Sequence, residues 1–435
     1  MKLNDKLNTL NLYPFHMPGH KRNEKFNITG SMIDITEIDG FDNLHNPKEI
    51  ILDMEDNLTE IFNSKKSIIS VNGSTCCVLS AISAVCDFND DIIIARNCHK
   101  SVYNACYINR LNIHYIEPEY NERYGIYTYI SQNAVDNAIK NCPNAKAIVI
   151  TSPTYEGFVS NITAEIPVII DSAHGSHLGL ADYLPKRMHA DIVINSLHKT
   201  LPALTQTACI HIYNEKYIDK VKKYMDIYET SSPSYVLLAS VDRCIDFLTN
   251  CSNAFFEYKN KLDAFYNKAN EIKNISFIEN DDITRICISA DGYSGYELCN
   301  ELRKRGIEPE GYGLNYAILI STVCDTDDGF NCLLKALGDI QIKDGIITAI
   351  PKPSIPKKIC NDFEIKETEI TSINDAIGKV CAENIFAYPP ASPIIAVGEL
   401  ISNDTLEYIK MLRERNINLL SDSNLLPNSI LTKAE

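Results

Sequence analysis

The chain has 435 residues, enough for two or three domains with a sizeable buried core. Hydrophobic residues make up 45% and charged residues 23%, an ordinary composition for a folded globular protein. A net charge of −16 with no basic block argues against nucleic acid and anionic membrane as partners, and no apolar run approaches transmembrane length.

In chain order, the start at Met1-Lys2-Leu3-Asn4-Asp5 is polar and does not resemble a secretory signal. Fifteen cysteines, irregularly spaced and without a CxxC, read as reduced, mostly buried thiols of a cytoplasmic protein. Residues 1–60 read as an N-terminal arm with one helix at Ile50–Phe62. From about residue 66 to 213, short apolar runs alternate with amphipathic segments. Ser67–Val71, Asp91–Ala95, Ile113–Ile116, Ala145–Thr151, Pro167–Asp171, Asp191–Asn195 and Ala208–Tyr213 read as strands; Thr75–Cys86, Lys100–Arg110 and Ala134–Asn141 read as helices. This alternation predicts a mostly parallel, seven-stranded sheet covered by helices, a large domain over 61–245. Residues 214–280 read as mainly helical, with a long helix from Ser234. A small α/β domain over 246–345 contains strand Thr284–Ala290, helix Gly295–Arg305, strand Tyr316–Thr322 and helix Phe330–Leu337. Pro351, Pro353 and Pro356 mark a linker. A C-terminal α+β domain, 358–435, is expected to carry a helix at Ile373–Ala382 and a turn at Pro389-Pro390.

In a parallel sheet, ligands sit beyond the carboxyl ends of the strands. One expected strand ends in Asp171-Ser172-Ala173-His174-Gly175, and the next runs into Ser196-Leu197-His198-Lys199-Thr200. That pair suits pyridoxal phosphate: a lysine to bond the cofactor carbonyl, and an aspartate to keep the pyridine nitrogen protonated. Seen singly, a lysine is usually a solvated charge and a strand-end aspartate a cap. His174 and His177 lie three apart, but no third ligand accompanies them, so a metal site is not expected. Asn72-Gly73-Ser74-Thr75 opens a helix, where backbone N–H groups and the helix dipole attract an anion; plain capping by Ser74 is the alternative. His99, in Arg96-Asn97-Cys98-His99-Lys100-Ser101, places a flat imidazole at a strand end, either to stack on a cofactor ring or to serve as a structural hydrogen-bonder.

Longer motifs join these. Phe15-His16-Met17-Pro18-Gly19-His20-Lys21, Asp34-Ile35-Thr36-Glu37, Asp42-Asn43-Leu44-His45-Asn46-Pro47, Thr151-Ser152-Pro153-Thr154-Tyr155-Glu156-Gly157, Ser231-Ser232-Pro233-Ser234-Tyr235 and Tyr388-Pro389-Pro390 occur in that order along the chain. Together with the Asn72, Arg96, Asp171 and Ser196 segments, they resemble the signatures of bacterial ornithine/lysine/arginine decarboxylases, from about residue 14 to 400. The resemblance implies the aspartate-aminotransferase-like fold (fold type I of pyridoxal phosphate enzymes) in a compact form without an N-terminal wing domain. It implies a homodimer with a shared active site. Lys199 resembles the lysine that carries the cofactor, Asp171 the partner of the pyridine nitrogen and His99 the ring-stacking histidine. Ser74, Thr75, Ser196 and His198 resemble the phosphate-binding set, and His174 joins the cofactor-binding residues. Ser232 resembles a phosphate contact delivered to the neighbouring subunit. Glu399 falls where the family carries a glutamate near the entrance of the site. The chain departs from the pattern at Cys77, Val78, Ser172, Ala391 and Val397; none of these removes a catalytic group.

The implied activity is decarboxylation of arginine, lysine or ornithine to CO2 and an amine, in polyamine biosynthesis. Asp171 and His99 hold the ring, and Lys199 or His198 returns a proton to the α-carbon. A carboxylate is needed for the distal cation of the substrate; Glu399 and the Asp34–Asp42 segment are the candidates. Transamination or another lyase reaction on the same scaffold is the alternative, with Arg285 as the carboxylate anchor. A homologue without enzymatic activity is a third reading.

Overall fold

Runs such as Ile92-Ile93-Ile94, Ile148-Val149-Ile150 and Ile192-Val193-Ile194 are apolar on both faces, and strands of that kind need cover on both sides. The computed structural model describes residues 2–250, 253–388 and 392–434. In it these runs form the centre of a seven-stranded sheet and are almost wholly shielded from solvent. The strand order is Lys66–Ser70, Ala208–Ile212, Ile192–Asn195, Val168–Asp171, Ile148–Thr151, Asp91–Ala95, Asn112–Ile116. Neighbours from Ile192–Asn195 to Asn112–Ile116 are parallel; Ala208–Ile212 pairs antiparallel with both of its neighbours. Side chains alternate between faces. Ile68 and Ile210 enter a core with Cys77, Ala81, Val102 and Val221, while Ile69 and Cys209 enter another with Leu3, Ile51, Leu58 and Tyr235. Each fully buried isoleucine contributes roughly 1.5–3 kcal/mol, so the sheet centre is the rigid base on which the strand-end loops rest.

Two smaller units follow. Ser276–Phe277, Arg285–Ser289, Ala317–Ile320 and Gly311–Tyr312 form a four-stranded antiparallel sheet, covered by helices Ala254–Ala269, Gly295–Lys304 and Asp327–Gly338. The C-terminal segment folds as a three-stranded sheet (Ser392–Ile395, Ile385–Tyr388, Asn418–Ser421) and a strand pair, Thr368–Ser372 with Ser429–Lys433.

The helix expected at Ile373–Ala382 is absent. Only Ile373–Asp375 make a single 3-10 turn; Gly378 then takes a φ of +84°, through which a right-handed helix cannot continue. Val380 and Cys381 instead bridge to Leu400 and Thr432. The helix of this unit is Asn403–Glu414, started by the Ser402 side chain, which accepts from the Thr405 amide. The expected Pro389-Pro390 turn lies outside the described residues. Among the described residues no helix is long and apolar enough to cross a membrane.

Candidate active site

Val168–Asp171 and Ile192–Asn195 are adjacent parallel strands, so the segments after them emerge side by side. Lys199 rides on the single-turn helix Leu197–Thr200, and its Nζ lies 2.9 Å from His174 Nε2. A cavity of about 340 Å³ opens here, lined on this side by Ser74, His99, Asp171, His174 and Lys199. Asp171 is buried. One carboxylate oxygen accepts from the Ala173 amide at 3.2 Å, and the other has no hydrogen-bond partner among the described residues. His99 caps helix Lys100–Ile108: its Nδ1 accepts from the Ser101 amide at 3.3 Å, leaving the ring at the cavity wall.

Burial shifts all three bases of the site downwards. Burial pushes the Lys199 ammonium below its ordinary range, opposed by Asp171, reinforced by Arg285 and opposed again by Glu310. Burial, then the Lys199 and Arg285 cations, pushes His174 far down. His99 is also lowered, by burial first, with Asp171 working the other way. A lysine held towards the neutral amine is a nucleophile in waiting.

The residues gathered here fit pyridoxal phosphate. Asp171 keeps an unclaimed oxygen in the cavity wall. Helix Gly73–Val85 begins with Gly73 at φ +75° and has no side-chain cap from Asn72, so its first N–H groups are not taken by a capping side chain. Ser74 therefore does not act as a plain cap. Next to Lys199, though not in the cavity lining, the buried hydroxyls of Ser196 and Thr200 have no hydrogen-bond partner among the described residues.

Five of the ten residues singled out from the sequence line the cavity, and five do not. Thr75 is exposed on the first turn of its helix, and Ser196 is buried outside the cavity lining with its carbonyl accepting from Ser176 Oγ at 2.7 Å. His198 turns away, its Nδ1 donating to the Thr207 carbonyl at 2.8 Å. Ser232 is exposed. Glu399 is fully buried rather than at an entrance. Both its oxygens are held by Arg96, at 2.5 and 2.9 Å, and one also accepts from the Ala396 amide at 2.8 Å. A carboxylate so engaged has nothing to offer a substrate cation. The two neighbouring histidines also part: His174 faces Lys199, whereas His177 Nε2 lies 2.9 Å from Asp282.

The rest of the cavity lining comes from elsewhere in the chain. Glu310 lines it and accepts from Tyr155 Oη at 2.9 Å; Glu156 lines it and accepts from Tyr316 Oη at 2.6 Å. The C-terminal unit adds Asp404 and Tyr408. Glu156 is buried and raised by that burial, opposed by the Tyr316 hydroxyl, whereas Glu310 is exposed. Neither glutamate was assigned a role from sequence. Glu156 sat inside a recognised motif, but Glu310, in Glu308-Pro309-Glu310-Gly311, carried no signal of its own.

Family models for "Orn/Lys/Arg decarboxylase, major domain" and "Orn/Lys/Arg decarboxylase, C-terminal domain" match residues 6–285 and 343–419. The chain belongs to the Orn/Lys/Arg decarboxylase family. Among its relatives in the family, arginine decarboxylase of Halalkalibacterium halodurans is 30% identical, over 91% of this chain and 89% of that protein. Arginine decarboxylase of Bacillus anthracis is 29% identical with the same two coverages, 91% and 89%. The fold is that of the constitutive lysine decarboxylase of E. coli, with a TM-score of 0.82 at 17% identity, over 99% of this chain and 82% of that one.

Proposed function

We propose that the protein is a pyridoxal phosphate-dependent decarboxylase of a basic L-amino acid, arginine first among them. The observation that carries the reading is the juxtaposition of Lys199 against His174, a half-free Asp171 carboxylate and the His99 ring around one cavity. In this reading Lys199 holds the cofactor covalently, Asp171 pairs with its ring nitrogen, His99 packs on its ring, and Ser74 with the helix start takes its phosphate. The bound cofactor supplies an electron sink for the pair left when CO2 departs. In this reading Lys199 or His174, which line the cavity, returns the proton to the α-carbon, in place of His198, which does not line it.

The distal cation of the substrate falls to Glu310, which of the two exposed carboxylates in the cavity wall, Glu310 and Asp404, is the one steadied by a phenol, the Tyr155 hydroxyl. Arginine is placed first because relatives matching over nine-tenths of the chain bear that name. Transamination lacks its anchor: Arg285 does not line the cavity, and the arginine that does, Arg96, is paired with Glu399. We extend the reading to a homodimer. Ser232 is exposed and outside its own cavity, where a residue serving a neighbouring copy must be, and the arm exposes Leu12, Tyr13, Phe15 and Met17.

Incubation with arginine, lysine and ornithine tests the function. CO2 and the matching amine are expected from at least one of them; a keto acid without CO2 would replace this reading with transamination.

A further inference from the structure

Arg285 opens the strand Arg285–Ser289 and is one of the largest fully buried side chains in the protein. Its position is tightly fixed. Asn280 Nδ2 donates to its carbonyl at 2.9 Å, and a Cβ on Gly157, which has φ +93°, would come within 2.8 Å of Arg285 Cγ. Yet its Nε and Nη1 have no hydrogen-bond partner among the described residues, and the carboxylate that acts on it, Asp282, is bonded instead to His177 and Thr284. A buried charge so poorly paired is costly and calls for a role.

Its one engaged nitrogen points at His174. Nη2 donates to the His174 carbonyl at 2.8 Å and lies 3.4 Å from His174 Nδ1. A neutral imidazole has one N–H and one lone pair. With a guanidinium N–H facing Nδ1, the lone pair belongs there, since a second N–H would oppose the cation. The imidazole proton then sits on Nε2, aimed at Lys199 Nζ 2.9 Å away. Nζ completes that hydrogen bond only with a lone pair of its own, that is, as the neutral amine.

We propose that Arg285 is a positioning residue which fixes the His174 tautomer and thereby holds Lys199 as the nucleophilic amine that captures the cofactor. The capture is balanced: the amine nitrogen bonds the carbonyl carbon, and the carbonyl oxygen leaves as water. The proposal rests on Lys199 being the cofactor-bearing lysine. The charged groups acting on Lys199 are Asp171 and Glu310, which favour its cation, and Arg285, which opposes it; His99 is a further titratable neighbour.

The test uses the full chain freed of cofactor. Acylation of Lys199, followed by mass spectrometry across pH, reports its amine directly. Arg285→Met is expected to raise the labelling midpoint by about one pH unit, about tenfold less labelling near neutrality; Arg285→Lys, which keeps a cationic donor, restores most of it. An unchanged midpoint in a folded Arg285→Met protein would overturn the proposal. Nitrogen NMR of His174 in the unmutated chain needs no variant: a proton on Nε2 is expected, and a proton on Nδ1 overturns the proposal. Borohydride trapping of pyridoxal phosphate on another lysine would instead remove the functional reading beneath it, whatever the His174 tautomer.

Discussion

The two ends of the cavity are built differently. The Lys199 end comes largely from strand-end segments of one sheet, where Asp171 is buried and His174 is tied to Lys199 and Arg285. The Glu310 end comes from several separate segments: residues 125–127, the loop after Ile148–Thr151, the 310–316 turn of the small sheet, residues 353–356, and the C-terminal unit around Asp404. Its key carboxylate is exposed and held by a single phenol. A rigid sheet edge suits chemistry that must not vary. A junction of separate segments suits selection, and it meets the chemical end where the Tyr155 ring packs edge-on against His174, centroids 5.1 Å apart.

Four substitutions probe that division. Glu399→Gln should have the largest effect, on stability. It strands the buried Arg96 guanidinium and costs about 3–5 kcal/mol in urea unfolding; a loss below about 1 kcal/mol would show that Glu399 is not the tie between the C-terminal unit and the main sheet. Asp171→Asn at the chemical end should lower kcat by about a hundred- to a thousandfold, and a loss under tenfold in steady-state assays would contradict its role. Glu310→Gln should raise KM for the basic amino acid about ten- to a hundredfold while sparing kcat. A fall in kcat alone would move Glu310 into the chemistry and blur the two ends. Tyr155→Phe, which removes only the phenol that steadies Glu310, should raise KM about two- to tenfold.

The same division decides what could be read from the chain. Strand ends carry local signals: a branched apolar run stopping at Asp171, another at Asn195 before Lys199, a glycine opening the helix at Ser74. The sheet, and the gathering of Ser74, His99, Asp171, His174 and Lys199 at its strand ends, are legible on those terms. Glu310 becomes a cavity residue only because the small sheet folds back against the Tyr155 loop, a contact between residues 155 positions apart. Glu399 shows the converse. Its place in a motif marked it for the entrance, but Arg96, far away in the chain, claims both of its oxygens. The helix expected at Ile373–Ala382 failed for a local reason, the left-handed Gly378, while Asn403–Glu414, whose Ser402 cap is a plain sequence signal, was overlooked.

The central claim is that Lys199 carries the cofactor. Reduction of the purified protein with borohydride in the presence of pyridoxal phosphate, followed by peptide mapping, tests it most directly. One stoichiometric label is expected on the peptide containing Ser196–Thr200, lost in Lys199→Ala. A stoichiometric label on any other lysine, or one that persists in Lys199→Ala, would contradict it.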